Sequence, residues 1–158
     1  MKTNAIRILE NAGFKLRIIT YAVCDHETSG VAVARKIGVA PERVFKTLVT
    51  EGKNGDLYVF VIPVGGSLDL KKAAAVAGTK QISMLLASEL FAKTGYVHGG
   101  CSPVGMKKKY PTYLDETASQ FETILVSGGK IGLQIEMDPN DLLKATAARY
   151  ANLAKDDL

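Results

Sequence analysis

Apolar positions along this chain recur with two periods, and the switches between them mark its elements. Ile6, Leu9 and Ala12 fall at helical spacing, with Thr3 or Asn4 before them to cap and Gly13 after them to stop, so 3–13 reads as a helix. Residues 15–23 alternate in part, with Leu16, Ile18 and Tyr21 among β-formers, and read as a strand. A polar, turn-like stretch over 24–29 precedes a second helix at 30–37, ended near Gly38. Pro41-Glu42-Arg43 opens a short turn or helix. Two β-patterned runs, 44–51 and 57–63, flank the polar turn 52–56 and predict a hairpin. Helices follow at 69–77, with Asp69 near the positive N-terminal end, and at 87–93. The stretch 95–105 is irregular. A strand and turn at 111–118, strands at 123–127 and 131–136, and a last helix from 139 to about 154 complete the chain.

Interspersed helices and hairpins, with no repeat, linker or low-complexity segment, predict an α+β fold: one domain over 1–158 with a mixed or antiparallel sheet. The chain is long enough to bury a core, and 47% hydrophobic with 23% charged residues suits a soluble globular protein. Twenty Lys and Arg against 16 Asp and Glu leave a net charge of +4, which permits a polyanionic partner without demanding one. Two cysteines, Cys24 and Cys101, make no disulfide framework and fit a reducing, cytoplasmic setting. There is no signal-peptide core and no apolar run of membrane-spanning length, so no membrane association is expected. Trp is absent and aromatics are 7%, which argues against a stacking surface for single-stranded nucleic acid.

Four segments carry candidate chemistry. Lys46 interrupts the apolar strand VFKTLV, on the same face as Val44 and Leu48. A lysine there either keeps a sheet edge soluble or projects a cation into a cleft to hold an anionic or carbonyl oxygen. The loop GYVHGGCSPVG at 95–105 is dense in glycine, which lets backbone N–H groups approach a ligand or makes a tight crossing in a packed fold. Within it, Cys101 with His98 invites a thiol-nucleophile reading, but the two stand three residues apart, whereas such pairs usually come from distant segments. Lys107-Lys108-Lys109 follows directly, either a phosphate-holding cluster or a solvated charge run. SGGKIG at 127–132 lacks the spacing of a P-loop and reads as a hairpin turn. Neither paired glycosidase carboxylates nor a zinc-ligand spacing is evident, so no metal or cofactor is expected.

Taken together and in order, PERVFKTL, LDLKKAAAVAGTK, TGYVHGGCSPVGMKK and SGGKIGLQIE resemble the bacterial YbaK family over residues 5–150. That family is related to the editing domain of bacterial prolyl-tRNA synthetase and is known for removing cysteine from Cys-tRNA(Pro) and Cys-tRNA(Cys). The resemblance implies a mixed, barrel-like sheet with flanking helices. It also implies a trans-editing deacylase in which the substrate cysteine's own thiol attacks its ester carbonyl. A small pocket rejects near-isosteres poorly, so a second site must clear the error. By position, Lys46 matches the family's essential lysine, and Gly99, Gly100, Cys101, Ser102 and Pro103 its GxxxP loop. Tyr21 and Ser127 match a pocket tyrosine and serine, and Gly128 and Gln134 join them as substrate-binding positions. Some members carry an acidic residue in place of Gln134, and Arg is common where Ile131 stands. The implied partners are the aminoacylated 3′ end of tRNA and prolyl-tRNA synthetase, with no DNA. Two alternatives are a deacylase for Ala- or Ser-charged tRNA using water, and a module that binds aminoacyl-tRNA without cleaving it.

Overall fold

The computed structural model of the protein describes residues 2–23 and 29–156, so most of the turn expected at 24–29, with Cys24, lies outside the described residues. Helix α1 (Asn4–Asn11) starts where the Thr3 hydroxyl accepts a hydrogen bond from the Ile6 N–H. It buries Ala5, Ile6 and Leu9. Strand β1 (Arg17–Thr20) follows, then α2 (Gly30–Ile37), capped by Ser29 and closed by Gly38 at φ 72°. After a 3-10 turn at Pro41–Arg43, β2 (Phe45–Gly52) and β3 (Leu57–Pro63) form the expected hairpin. Asp69 caps α3 (Leu70–Ala77) by accepting from the N–H groups of Lys71 and Lys72. Next come β4 (Ile82–Met84), α4 (Ala87–Thr94), β5 (Thr112–Asp115), β6 (Ile124–Ser127), β7 (Leu133–Met137), α5 (Pro139–Thr146) and β8 (Arg149–Ala151).

The strands build two sheets. One is antiparallel, in the order β1-β7-β6; the other is mixed, in the order β4-β2-β3-β5-β8, with β3–β5 and β5–β8 parallel. A parallel bridge between Val44 and Leu125 joins them. The mixed sheet with flanking helices is therefore present, but it does not close into a barrel. The main core lies where α1, α5 and both sheets meet, around Leu9, Phe45, Leu114, Val126, Ile135 and Leu142. A second cluster under α3 is centred on Phe60, whose ring stacks on Tyr113 at 5.4 Å between centroids.

Two short strands escape the sequence pattern, and one helix is shorter than its periodicity suggests. β4 and β8 have three residues each, too few to show alternation. The last helix does not run to 154. It ends at Thr146, because Ala147 takes a left-handed φ of 57°, and the chain then turns to pair with β5. Buried Asp115 holds that return, its carboxylate accepting from the N–H groups of Leu153 (3.0 Å) and Ala154 (3.2 Å).

Candidate active site

Strand β2 is an interior strand that β4 covers only in part. β3 pairs with it along its whole length, but β4 covers its other side only from Thr50 to Gly52. The stretch Phe45–Leu48 is thus free of β4, and there it forms the floor of a cavity of about 360 Å³. Lys46 stands on this locally open strand edge and also lines the cleft, so the two placements weighed from the sequence coincide. Its neighbours in the cavity include Val44, Leu48, Val33 and Leu90, so the wall around its ammonium is largely apolar. Lys46 is half-buried and has no ion-pair partner among the described residues. Burial alone pushes its pKa below the ordinary lysine value of 10.5.

The other walls come from distant segments. Tyr21 follows β1 and is fixed where its N–H donates to Gly132 O at 3.0 Å. Ser127 ends β6 and Gln134 sits opposite it on β7, and both line the cavity. The Ser127 hydroxyl accepts from the Gly129 N–H at 3.1 Å, which shapes the turn to β7. Gln134 is only 6% exposed, and its Oε1 has no hydrogen-bond partner among the described residues. Thr47 Oγ1, on the cavity floor, is likewise buried and unpartnered. Both oxygens are sealed from solvent, and leaving such atoms unpaired costs roughly 1–3 kcal/mol each. Thr47, Leu90 and the α2 residues Gly30, Val31 and Val33 are lining residues that carry no signal in the sequence.

The glycine loop divides between cavity and scaffold. Gly99, His98 and Cys101 line the cavity, whereas Gly100, Ser102, Pro103 and Gly128 do not. Gly100 is the point of approach to the β6–β7 turn: a Cβ there would stand 2.9 Å from Ile131 N and 3.0 Å from the Lys130 backbone. Neither neighbour is a flexible side-chain end, so only glycine allows the approach. Gly99 adopts φ 87° and supplies the bend. Ser102 is buried, and its hydroxyl accepts from the Val104 N–H at 3.2 Å. The Tyr96 hydroxyl donates to Val104 O, tying the loop's two ends. From the other side, Thr3 Oγ1 donates to Gly128 O at 2.5 Å, so α1 anchors the β6–β7 turn.

Cys101 is not set up as a nucleophile. Burial pushes its thiol up to about 12, which keeps it protonated at neutral pH. His98 is exposed and shares no hydrogen bond with it among the described residues. Among the described residues there is also no group of three or more His, Cys, Asp or Glu side chains that can hold a metal ion.

The geometry therefore offers a half-buried cation and a glycine bend beside a small cavity, which suits capture of a polarised carbonyl or anionic oxygen. The chain is similar to known proteins over most of its length. A protein of Enterococcus faecalis, provisionally named Cys-tRNA(Pro)/Cys-tRNA(Cys) deacylase EbsC, is 44% identical over 152 residues, covering 96% of this chain and 93% of its own length. The uncharacterised YwhH of Bacillus subtilis is 30% identical over 139 residues, 85% of this chain and 87% of its own. A crystal structure described provisionally as a trans-editing enzyme for prolyl-tRNA synthetase superposes with a TM-score of 0.85 at 27% identity, over 99% of this chain and all of its own. The sequence signature of the aminoacyl-tRNA editing domain matches residues 25–145, a span that contains every cavity-lining residue except Tyr21. By that match and these relatives, the chain belongs to the aminoacyl-tRNA editing domain family.

Proposed function

We propose that this protein is a free-standing deacylase that removes cysteine from Cys-tRNA(Pro), and also from Cys-tRNA(Cys). The observation that carries this reading is the half-buried Lys46 lining a cavity of about 360 Å³ beside the glycine loop. The names of the E. faecalis relative and of the trans-editing structure support the substrate.

In the reaction, the substrate's sulfur attacks its own ester carbonyl. The S–C bond forms, the C–O bond to the ribose breaks, and the thiol proton ends on the ribose oxygen, giving a cyclic thiolactone and free tRNA. The protein contributes proximity and charge. Lys46 anchors oxygens of the terminal nucleotide, and the amides of the glycine loop face the developing oxyanion. Gln134 lines the cavity as a substrate-binding position. Tyr21 and Ser127 complete the walls. No metal or cofactor takes part. Prolyl-tRNA synthetase is the partner that confers tRNA identity, and the protein acts in the cytoplasm. No helix among the described residues is long and apolar enough to cross a membrane.

The test is deacylation of Cys-tRNA(Pro), Ala-tRNA(Pro) and Ser-tRNA(Pro) at enzyme concentrations far below substrate. Fast loss of the cysteinyl ester alone, with thiolactone released, is expected. Loss of the alanyl or seryl ester instead would replace the thiol by water. Binding without turnover would leave a carrier of aminoacyl-tRNA rather than an enzyme.

A further inference from the structure

Helix α4 has a second cavity beside it. Leu90 lines the Lys46 cavity, while Ala92 and Lys93 line a shallow trough of about 560 Å³. Leu90 and Lys93 are separated by about 4.5 Å along the helix axis, at 1.5 Å per residue. The glycine loop and the lysine run after it bridge the same two places, with Gly99 and Cys101 in the first cavity and Lys107 and Lys108 in the trough. The lysine run of the sequence is thus next door to the site rather than scattered over the surface.

The trough is constructed rather than incidental. The Tyr110 hydroxyl donates to Lys93 O at 2.7 Å, and the Lys107 N–H donates to Thr94 O at 3.1 Å. Both bonds dock the lysine-bearing segment on the last turn of α4. Lys107 Nζ donates to Ala92 O at 3.4 Å and lies 5.3 Å from the Phe91 ring centroid. The negative end of the α4 dipole accounts for Lys107, and in part for Lys93. It does not account for Lys108 or for neighbouring Lys109. All four lysines are exposed, and none has a carboxylate partner among the described residues. The trough's single acidic residue, Asp56, already accepts a hydrogen bond from Asn54. One carboxylate against three trough lysines leaves an excess of exposed positive charge, and a polyanion relieves that repulsion while releasing its own counterions.

We infer that the trough walled by Lys93, Lys107 and Lys108 is a phosphodiester track for the acceptor arm of an RNA substrate, distinct from the cavity that takes the aminoacyl ester. The inference rests on the tRNA reading above. A chain whose 3′ end enters the Lys46 cavity has phosphates to place outside it, and these ammonium groups, without carboxylate partners, stand on the same helix and loop segment that line that cavity.

Two readouts test the track separately from the chemistry. The first is the affinity for an uncharged acceptor-stem RNA hairpin, measured by fluorescence anisotropy across a salt series. The variants are K93A/K107A/K108A and the single K108E, at a side chain that makes no hydrogen bond or ion pair among the described residues. The triple variant is expected to bind at least about tenfold more weakly. Its log–log salt slope should shrink by about 2 to 3, at roughly 0.7–0.9 for each phosphate that is no longer neutralised. K108E is expected to shift both in the same direction. The second readout is turnover: KM for Cys-tRNA(Pro) rises, kcat stays within about twofold, and cleavage of 3′-O-cysteinyl-adenosine is unchanged. Unaltered RNA affinity and salt slope in both variants would overturn the track, even if the deacylase is confirmed. Unaltered RNA affinity with weakened binding to prolyl-tRNA synthetase would overturn it in favour of a protein partner. Absence of deacylation in the wild type would remove the function proposed above, while the hairpin measurement would still decide the track.

Discussion

The two basic regions flanking α4 handle charge in opposite ways. In the ester cavity one lysine stands among apolar groups, without an ion-pair partner among the described residues and with its pKa lowered by dehydration. In the trough several lysines stay exposed to water. A partly dehydrated charge acts more strongly on a nearby atom and is screened less by salt. Hydrated charges act weakly and collectively, and salt screens them. Under the function and the track proposed above, chemistry falls to the first region and capture to the second.

The largest effect is expected from Lys46→Met. Removal of this cation should release the terminal nucleotide from its anchor and lower kcat for the cysteinyl ester by at least about 10²-fold, the scale of a misplaced reacting centre. Initial rates at low and high salt check it. A variant that remains active, or a fall in rate that salt mimics in the wild type, would collapse the distinction between the two regions. Gly100→Ala comes next. Its Cβ meets the Ile131 backbone at 2.9 Å, so the loop must retreat from the β6–β7 turn. A displacement of about 1 Å at a reacting centre can cost about 10² in rate. We expect a fall of that order in kcat, with RNA-hairpin affinity preserved because the trough is unaffected.

A smaller effect concerns stability. Burial lowers the pKa of Lys46 in the folded chain below its unfolded value, so between the two the unfolded chain binds more protons. Lys46 therefore costs stability below its folded pKa, and that cost fades as pH rises toward 10.5. Thermal melts of wild type and Lys46→Met should converge over that alkaline window, with the methionine variant the more stable at neutral pH. Parallel melts would show that the lysine is hydrated like those of the trough. The smallest effect is expected from Cys101→Ala. With the thiol held near 12 and no histidine hydrogen-bonded to it among the described residues, turnover should change by less than about twofold. A large fall would reinstate the nucleophile reading.

Local signals make much of this molecule legible. Gly38 fixes the end of α2 where the sequence puts it, and the β2–β3 hairpin follows from two apolar runs around a polar turn. The α5 overrun has a physical cause: Ala147 ends the helix in a conformation usually reserved for glycine, so no residue type announces it, and pairing with β5 overrides the helical pattern. At the site, Lys46 stands out as a charge in an apolar strand. The uncovered stretch of β2 that makes it both an edge residue and a pocket residue depends on how far β4 extends, which is a tertiary fact. Glycine density marks the 95–105 loop, but its approach to Lys130 and Ile131 joins segments far apart in the chain. Thr47 and Gln134 give no sequence signal of their unpartnered oxygens, because an ordinary threonine or glutamine in a strand looks the same.

The antiparallel sheet pairs Arg17 with Glu136 and Thr20 with Leu133, so one wall of the cavity is made from opposite ends of the chain. During synthesis, Tyr21 leaves the ribosome long before its partner Gly132 exists. The hairpin and α3 can assemble early from neighbouring residues, whereas the ester cavity requires a contact of high sequence separation and belongs to the slow, late part of folding. A nascent chain of this protein is therefore catalytically silent until almost its last strand emerges, and a translation product truncated before β7 would carry Lys46 with no pocket around it.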